Sequence, residues 1–487
     1  MPMTNRLKNQ HLLWRAAFGP MVEITSSLDK KSSSEIWKLL KETSKSVPDK
    51  IVVADDMADG MMNGLKSTMA VNQTADDEAM MQRIKLKQRR TEISNLNLIW
   101  LSEMVNSKAQ LREKIAFFWH GHFACKVLNS FFSQDLLHVL RTNALGNFGT
   151  MLKEVSKSPA MLQYLNNQQN RKGHPNENFA REVMELFTMG IGNYTENDIK
   201  EGARAFTGWG YDIKGKFVFK AAQHDDGEKI FLGKKGRFNG DDIIDILLQQ
   251  PKTAEYITRK IYKYFVNEVG NETKIKSLAA DFYASNYDIN KLLDGIFGSD
   301  WFYEEKNIGT RIKSPIELMV GIRRFLPMEF DNENGQLLFQ KVLGQVLFYP
   351  PNVAGWPGGT TWIDSSTLML RMQMPQVFAA KENITIKPKN DDDVNMGKVD
   401  DKSEIINNKP KVSNRNANAN IDWTLPLAVF EKTSRAELLQ VIASHLWQTN
   451  DRLPEITLQT YLDQTTRESF TKSVIIHLMS TPEYQMC

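Results

Sequence analysis

Hydrophobic residues recur at helical spacing along most of the chain. Leu111, Ile115, Phe118 and His122 follow an i, i+4, i+7, i+11 pattern, which predicts one buried face of a helix. The same kind of pattern predicts helices within 76–125, 130–157, 241–249, 253–267, 277–284, 288–297, 315–325 and 336–343. Residues 216–219 alternate instead, which predicts a short strand paired in a hairpin with 229–232. The pattern therefore predicts a mainly α protein, a multi-helix globular body with a small β-hairpin.

Residues 381–421 interrupt this pattern. They are rich in Lys, Asp and Asn and include the run Asn-Arg-Asn-Ala-Asn-Ala-Asn at 414–420. A segment of this composition buries too little apolar surface to offset the entropy of ordering, so we expect a disordered insertion near the C-terminus. This divides the chain into a main helical domain at 1–380, the insertion at 381–421, and helices at 422–487 that dock on the main domain. A mobile loop is also expected at about 55–75, where Asp, Met, Gly and Asn follow no period.

Composition and charge narrow the class of protein. A net charge of +3 gives no reason to expect binding to nucleic acid or to a membrane surface. The two cysteines, Cys125 and Cys487, are too few for a disulfide framework or a thiolate metal cluster. No apolar run approaches the roughly 20 residues that span a bilayer, and polar residues interrupt the N-terminus where a signal peptide would be apolar. We therefore expect no transmembrane segment and a cytoplasmic location by default.

The densest polar chemistry lies at 170–209. Within it, the pattern at 175–190 predicts a helix. With about 100° of rotation per residue, six polar side chains fall within an arc of roughly 140° around that helix. They are Glu177, Asn178, Arg181, Glu182, Glu185 and Thr188. Such a strip would suit a metal ion or acid–base chemistry. It would equally suit a solvated face, with Glu177–Arg181 and Arg181–Glu185 as ordinary four-residue pairs.

Two histidines flank Gly121 in the run Trp-His-Gly-His-Phe. On a helix, positions two apart point about 200° away from each other, so His120 and His122 share a metal ion only if the helix ends near Gly121. His122 continues the buried face and reads as a core histidine. His120 is the better candidate for a metal ligand.

The run from His224 to Lys229 is predicted to be a loop, where functional groups concentrate. His224 and Asp225 are candidate metal ligands, and Lys229 is a candidate ligand-binding residue. The alternative is an Asp-Asp-Gly turn between two short strands, which is explained by turn chemistry alone.

Further ligand-binding candidates surround these motifs. Arg171 and His174 precede a helix start, where a cationic loop would bind an anion or simply be solvated. Arg204 and Trp209 would line a pocket, or Trp209 would serve packing alone, and Asn178 is a further ligand-binding candidate. Trp356, in a Pro/Gly-rich loop, would stack on a flat ligand or hold that loop on the helical body. Thr195 and Asp198 form the pattern of a capping box. The chain carries no phosphate-binding loop, dinucleotide fingerprint, zincin helix or nucleophile elbow.

The segment Asn-Glu-Asn-Phe-Ala-Arg-Glu-Val-Met-Glu-Leu-Phe-Thr-Met-Gly at 176–190 resembles the hallmark of the bacterial domain-of-unknown-function 1800 family. Further pieces that resemble this family lie at 12–20, 119–123, 194–196, 203–209, 224–229 and 350–357. The resemblance spans 12 to about 375 and implies no activity. Members are often encoded beside proteins of the domain-of-unknown-function 1501 family, which resemble the alkaline-phosphatase superfamily and can carry export signals. The resemblance therefore implies such a protein partner and co-export to the envelope with it.

Two functional hypotheses follow. In the first, the protein is a metal-assisted, hydrolase-like enzyme with a divalent metal as cofactor. Glu182 or Glu185 is then a ligand or general base, Arg181 binds an anion, and His120 or His224 is a ligand or acid. In the second, the protein is a non-catalytic binding or assembly module that partners the alkaline-phosphatase-like protein encoded nearby.

Overall fold

The computed structural model of the chain describes residues 4–54, 75–379, 417–449 and 458–487. Twenty α-helices are formed by these residues, with short 3₁₀ turns between several of them. They are α1 (Asn5–Ala16), α2 (Val22–Thr25), α3 (Ser33–Thr43), α4 (Ala75–Asn106), α5 (Gln110–His122), α6 (Ser130–Asn143), α7 (Phe148–Lys157), α8 (Pro159–Tyr164), α9 (Glu177–Glu182), α10 (Glu196–Ala205), α11 (Gly240–Leu248), α12 (Pro251–Phe265), α13 (Glu272–Ala284), α14 (Ile289–Phe297), α15 (Pro315–Phe325), α16 (Asn334–Val342), α17 (Ser365–Ala379), α18 (Thr424–Val429), α19 (Leu438–Leu446) and α20 (Arg467–Met479). The mainly α prediction is confirmed. Within the described residues no helix has both the length and the apolar composition needed to cross a membrane.

Six short strands form three antiparallel pairs in the described residues. They are β1 (Trp209–Tyr211), β2 (Phe217–Phe219), β3 (Lys229–Phe231), β4 (Lys234–Gly236), β5 (Met328–Phe330) and β6 (Ala419–Ile421). The predicted strand at 216–219 is present, but its predicted partner at 229–232 is wrong. β2 pairs with β1, and β3 pairs with β4, so the loop at 224–229 joins two separate hairpins.

The described residues of the insertion predicted at 381–421 are 417–421 only, and they include β6, which pairs with β5. Residues 381–416 lie outside the described residues, as do residues 55–74 of the loop predicted at about 55–75.

The chain forms two compact units. The central unit comprises Ser34–Glu304 and Phe348–Trp356, and the terminal unit comprises Met1–Ser33, Glu305–Leu347 and Pro357–Cys487. Neither unit is continuous in sequence, so the division into domains at 380 and 422 stays a prediction.

The central unit is built around α5, which is buried on almost every side. Its Glu113 carboxylate is neutralised internally, because Arg141 Nη2 lies 2.6 Å from Glu113 Oε1 and Trp100 Nε1 donates to Glu113 Oε2 at 2.9 Å. A buried carboxylate is tolerated only when it is paired and hydrogen-bonded in this way. The helix ends at His122, so the run containing both histidines is helical.

The helix predicted at 175–190 is only partly a regular α-helix. Asn176 caps its start, since the Asn176 side chain accepts from Asn178 N, and α9 then continues as a π-helix over Val183–Thr188. A π-helix has more residues per turn than an α-helix, so the 100° spacing fails there. Thr188 is fully buried and its hydroxyl donates to Val183 O at 2.7 Å, so its predicted place on the polar strip is wrong.

The terminal unit is built around α15, all of whose residues are buried. Its Gly321 leaves room for the Trp14 ring, because a Cβ there would lie 2.1 Å from that ring. Lys313 lies just before α15 between two aromatic rings, with Nζ 3.6 Å from the Trp14 ring centroid and 3.7 Å from that of Tyr484. This lysine is buried and donates to Tyr484 O.

Candidate functional site

Two polar clusters lie at opposite ends of α10 in the central unit. The Arg181 cluster comprises Glu177, Arg181, Glu182, Glu185, Tyr194 and Glu196. The Arg204 cluster comprises Glu201, Arg204, Thr207, His224, Asp225 and Lys229. Glu196 is in the first turn of α10 and Arg204 in the last. They are eight positions apart, which is about 12 Å along a helix.

The Arg181 cluster is held by one guanidinium and three carboxylates. Arg181 Nη2 lies 2.9 Å from Glu196 Oε2, 3.4 Å from Glu177 Oε2, and its Nη1 lies 3.5 Å from Glu185 Oε1. The hydrogen bond to Glu196 raises the pKa of Arg181. Both predicted four-residue pairs are therefore present, and Glu196, from the next helix, makes the shortest contact.

Glu182 lies beside these pairs. Burial and the neighbouring Glu185 raise its pKa, while Arg181 acts in the opposite direction. The Tyr194 hydroxyl is hydrogen-bonded to Glu185, and burial raises the pKa of Tyr194. Burial also raises the pKa of Tyr164, with Cys125 and Glu182 as smaller causes, so Tyr164 approaches the same carboxylate. The predicted acid–base residues are thus brought together with two tyrosines that sequence reasoning missed.

The Arg204 cluster is centred on a two-point ion pair. Arg204 Nε lies 2.9 Å from Asp225 Oδ2, and Arg204 Nη2 lies 3.2 Å from Asp225 Oδ1. Arg204 Nη1 also donates to both Glu201 oxygens, at 2.9 and 3.0 Å, and to Glu228 O at 3.2 Å. The hydrogen bond from Arg204 lowers the pKa of Asp225 to about 2. A bidentate pair of this kind fixes the loop to the helix.

The side chains of His224 and Lys229 make hydrogen bonds to Thr207 and to main-chain oxygens of the 224–229 loop, respectively. His224 Nδ1 lies 2.9 Å from Thr207 O and 3.2 Å from Thr207 Oγ1. Lys229 is almost fully buried, donates to Asp225 O and Gly227 O, and has its pKa lowered by burial. Gly227 N donates to Asp225 Oδ1 at 2.9 Å, which closes the Asp-Asp-Gly turn between two strands that the sequence left open as an alternative.

His120 and Trp356 meet in another part of the central unit. Phe348 N donates to His120 Nε2 at 3.1 Å, which places the proton of the neutral imidazole on Nδ1. The Trp356 and His120 ring centroids are 5.6 Å apart, and burial lowers the pKa of His120 to about 3. Trp356 therefore packs with the 348–356 segment on the end of α5.

His122 lies under the π-helix. Its Nε2 is 3.3 Å from Phe187 O, and burial lowers its pKa well below the ordinary value. The structure thus brings His122 near the helix that carries Glu182 and Glu185, but on the buried side. Among the residues that the structure describes, no group of three or more His, Cys, Asp or Glu side chains is placed to hold one metal ion.

Arg171, His174 and Asn178 lie at the surface near the start of α9. His174 N donates to Arg171 O at 2.9 Å, and Asn178 Nδ2 donates to Leu165 O at 3.3 Å. The residues Arg171 and His174 are exposed, and the role of all three as ligand-binding residues stays a prediction.

Asn170 organises this whole region and was missed. Its Nδ2 donates to Ala203 O at 2.8 Å, its Oδ1 accepts from Asn176 N at 2.9 Å, and its main-chain oxygen accepts from Gly208 N at 3.0 Å. One buried amide thereby joins the start of α9 to the end of α10. Asn170 ends a run of Asn and Gln that reads as an ordinary polar loop, so no hydrophobic period marked it.

Comparison with known proteins gives one match. The family model described as a protein of unknown function, DUF1800, matches residues 11–486. No curated protein and no solved structure matches the chain. Because the family model covers nearly the whole chain, the protein belongs to the DUF1800 family.

Proposed function

We propose that the Arg181 cluster is the acid–base centre of a hydrolase-like enzyme. The observation that supports this most directly is the environment of Glu182, whose pKa is raised by burial and by Glu185 on the same helix. A carboxyl group whose pKa is raised by burial is suited to act as a general acid near neutral pH. In this proposal Glu182 is the proton donor and Glu185 the base.

The neighbours of this pair support the same assignment. Arg181 Nη1 lies 3.5 Å from Glu185 Oε1, and Tyr194 is hydrogen-bonded to the same carboxylate. The two carboxylates also flank the junction between α9 and the π-helix, and π-helical turns recur at functional sites. Arg181 is then a positioning residue whose three carboxylate partners hold it in place.

The metal-assisted form of this proposal keeps Glu182 and Glu185 as candidate ligands. It is tested by elemental analysis of natively purified protein before and after dialysis against a chelator. A stoichiometric metal that is lost from Glu182→Gln and retained by Glu177→Gln would support it. Equal metal content in both variants would contradict it.

The acid–base proposal is tested with the full chain and a panel of nitrophenyl esters, phosphates and glycosides. General acid–base catalysis contributes about 10²–10⁴-fold, so Glu182→Gln and Glu185→Gln should each lower the turnover of a hydrolysed probe by at least about a hundredfold. Glu268→Gln is the control, because Glu268 is an exposed carboxylate of the central unit that lies outside the Arg181 cluster. Full turnover in both test variants, with native folding, would contradict the proposal.

A specific observation also favours the second hypothesis, a binding or assembly module. In the central unit Ile191 is 78% exposed, three residues after the π-helix, and Ile213 at the tip of the β1–β2 hairpin is 95% exposed. Contiguous exposed apolar surface marks protein interfaces, and these two isoleucines are the residues that we propose as part of such a surface. The proposed partner is the protein of the domain-of-unknown-function 1501 family encoded nearby. Loss of co-purification in Ile191→Asp and Ile213→Asp, with the hydrolase-directed variants unaffected, would support this hypothesis.

A further inference from the structure

The two halves of α4 have different surroundings in the central unit. In the second half Ile93, Leu96 and Trp100 are fully buried, and Trp100 Nε1 donates to Glu113 on α5. In the first half no residue from 79 to 91 is buried. These thirteen positions cover about 20 Å of helix. The second half therefore anchors α4, and the first half lies at the surface.

An apolar stripe runs along this exposed half. It is formed by Met80, Met81 and Ile84, which are 62%, 45% and 50% exposed. Residues three and four apart are neighbours on a helix, so the three side chains form one continuous patch. At about 100° per residue, the centre of the stripe lies roughly 150° around the helix from the buried face of the second half. The stripe is therefore not an edge of the surface that α4 buries against the protein.

The same stretch of α4 is strongly basic. No acidic residue occurs from 79 to 91, although 76–78 and position 92 are acidic. The net charge of +3 for the whole chain does not reveal this concentration, because acidic residues elsewhere offset it. The cations of the stretch are Arg83, Lys85, Lys87, Arg89 and Arg90.

The cations lie on both sides of the apolar stripe. Lys85 lies about 90° from the centre of the stripe in one direction, and Lys87 about 70° in the other. Gln88 and Thr91, which continue the stripe towards the second half, are uncharged. Lysine side chains extend their charged ends past apolar neighbours, so both ammonium groups can reach the plane in which the stripe would be covered.

This combination discriminates between kinds of partner. An apolar stripe bordered by Lys and Arg is typical of helices that lie in the interface of a bilayer. Nucleic acid would account for the cations alone, since its phosphates do not cover apolar side chains. An apolar groove on another protein would account for the stripe alone. α4 does not itself have the composition needed to cross a membrane, so contact with lipid would be at the surface.

We infer that the first half of α4 is a docking surface for an anionic lipid bilayer. Met80, Met81 and Ile84 enter the boundary between headgroups and acyl chains, and the flanking lysines contact the lipid phosphates. Charge complementarity selects anionic lipid, because cations near such a surface each strengthen binding. This inference concerns a different surface from the Arg181 cluster and goes beyond the proposed acid–base function.

Flotation of the full-length protein with vesicles tests the inference. One set of vesicles is phosphatidylcholine alone, and the other contains phosphatidylglycerol as well. At about 0.1 M salt the protein should float with the anionic vesicles at least about tenfold more strongly than with the neutral ones. Most of this binding should be lost at about 1 M salt, where charges are screened within a few ångströms. Equal flotation with both kinds of vesicle, or none with either, would overturn the inference, and this comparison needs no variant.

Two double variants separate the parts played by charge and by apolar contact. Lys85→Glu with Lys87→Glu, and Met81→Gln with Ile84→Gln, should each weaken binding to anionic vesicles by at least about tenfold. All four positions lack burial, so both variants should fold. Lys263→Glu with Lys276→Glu is the matched control, because it makes the same change of charge at two exposed lysines of the central unit and should leave binding unchanged.

The variants also identify the wrong partner. Unchanged vesicle binding by Met81→Gln with Ile84→Gln would overturn the inference, because charge alone would then explain the binding and the basic stretch would fit a nucleic acid equally well. Loss of binding in the Lys263 and Lys276 control would overturn it too, since overall charge rather than α4 would then be responsible. Glu182→Gln should float like wild type, so failure of the acid–base proposal and failure of this one are separable.

Discussion

Arg204 and Asp225 form a two-point ion pair across 21 positions of the chain, with Nε 2.9 Å from Oδ2 and Nη2 3.2 Å from Oδ1. Asp225 Oδ1 also accepts a hydrogen bond from Gly227 N. The same carboxylate therefore closes the turn at 225–227 and holds that turn against α10. The side chains of Arg204 and Asp225 are therefore joined in one hydrogen-bonded network, and the role of Asp225 as a metal ligand stays a prediction.

Replacing Arg204 with Met should destabilise the protein by roughly 2–3 kcal/mol, because a charge-assisted network is lost and two partly buried carboxylates, Glu201 and Asp225, remain. Urea unfolding of the full chain measures the change. Arg237→Met is the matched control, since Arg237 is exposed near β4 and should change stability by less than about 0.5 kcal/mol. Equal effects of the two substitutions would contradict the proposed weight of the Arg204–Asp225 pair.

The same pair predicts a pH dependence. The folded-state pKa of Asp225 is about 2, below the unfolded value of about 3.9, so its contribution is complete above pH 4 and is lost as the pH falls from about 4 to 2. The Arg204→Met variant should lose less stability than wild type across this window. The loss of folded structure between pH 4 and 2 is followed by circular dichroism. Equal losses of stability in the two proteins would show that the pair does not control this transition.

Glu182→Gln should stabilise the protein at pH 7. The raised pKa of Glu182 means that its charged form is disfavoured in the folded state, so this side chain favours folding below its unfolded pKa and opposes it as the pH rises through the folded pKa. The neutral amide of glutamine removes that cost. Replacing a functional residue often raises stability in this way. A thermal melt at pH 7 checks the sign, with Glu177→Gln as the control; a melting temperature below wild type for Glu182→Gln would refute it.

Gly355→Ala should be far more disruptive than Gly173→Ala. Both glycines have positive φ, +83° and +81°, so both alanines carry the conformational cost of roughly 1–2 kcal/mol. At Gly355 a Cβ would also lie 2.4 Å from Gly121 O, whereas at Gly173 it meets nothing within 4 Å. The clash should add about 1–3 kcal/mol. Denaturant midpoints of the two variants measure the difference, and equal values would contradict the close approach of these two segments.

Lys313 should make the stability of the protein rise with pH. Burial lowers its folded-state pKa to about 7, so between about 7 and 10.4 the unfolded state binds more protons than the folded state. Lys313→Met should therefore match or exceed wild type at pH 7 and lose that advantage near pH 10. Lys432→Met, at an exposed position of the terminal unit, should leave the pH dependence unchanged. A wild-type curve that stays parallel to the Lys313→Met curve would exclude this role for the lysine.

The helices were predictable because their apolar residues repeat at the period of the α-helix. α11 and α12 follow the predicted ranges 241–249 and 253–267 within two residues, and the capping box of Thr195 and Asp198 is present. The hairpin partners were not predictable, because Trp209–Tyr211 carries too few residues to show alternation and reads as the end of a helical motif. The alternation of residues within a short strand does not tell which other strand it pairs with.

The sequence predicted which residues of α9 belong to the candidate site, but only some of the contacts between them. Arg181 and its four-residue partners lie as expected, because both spacings belong to one helix. Glu196 and the two tyrosines reach the cluster only because other segments of the chain pack against α9. The period of apolar residues within one helix does not predict such packing. Asn170 was missed for the same reason, since its importance comes from what surrounds it after folding.

The 348–356 segment has a consequence for biosynthesis. Phe348 supplies the hydrogen bond to His120 from 228 positions downstream. At about 5–20 residues per second, a ribosome needs roughly 10 to 50 seconds to reach it after making His120. During that interval the nascent chain exposes Trp100 and the end of α5, which Phe348 covers in the folded unit. The central unit therefore cannot complete these contacts during synthesis until the 348–356 segment has left the ribosome.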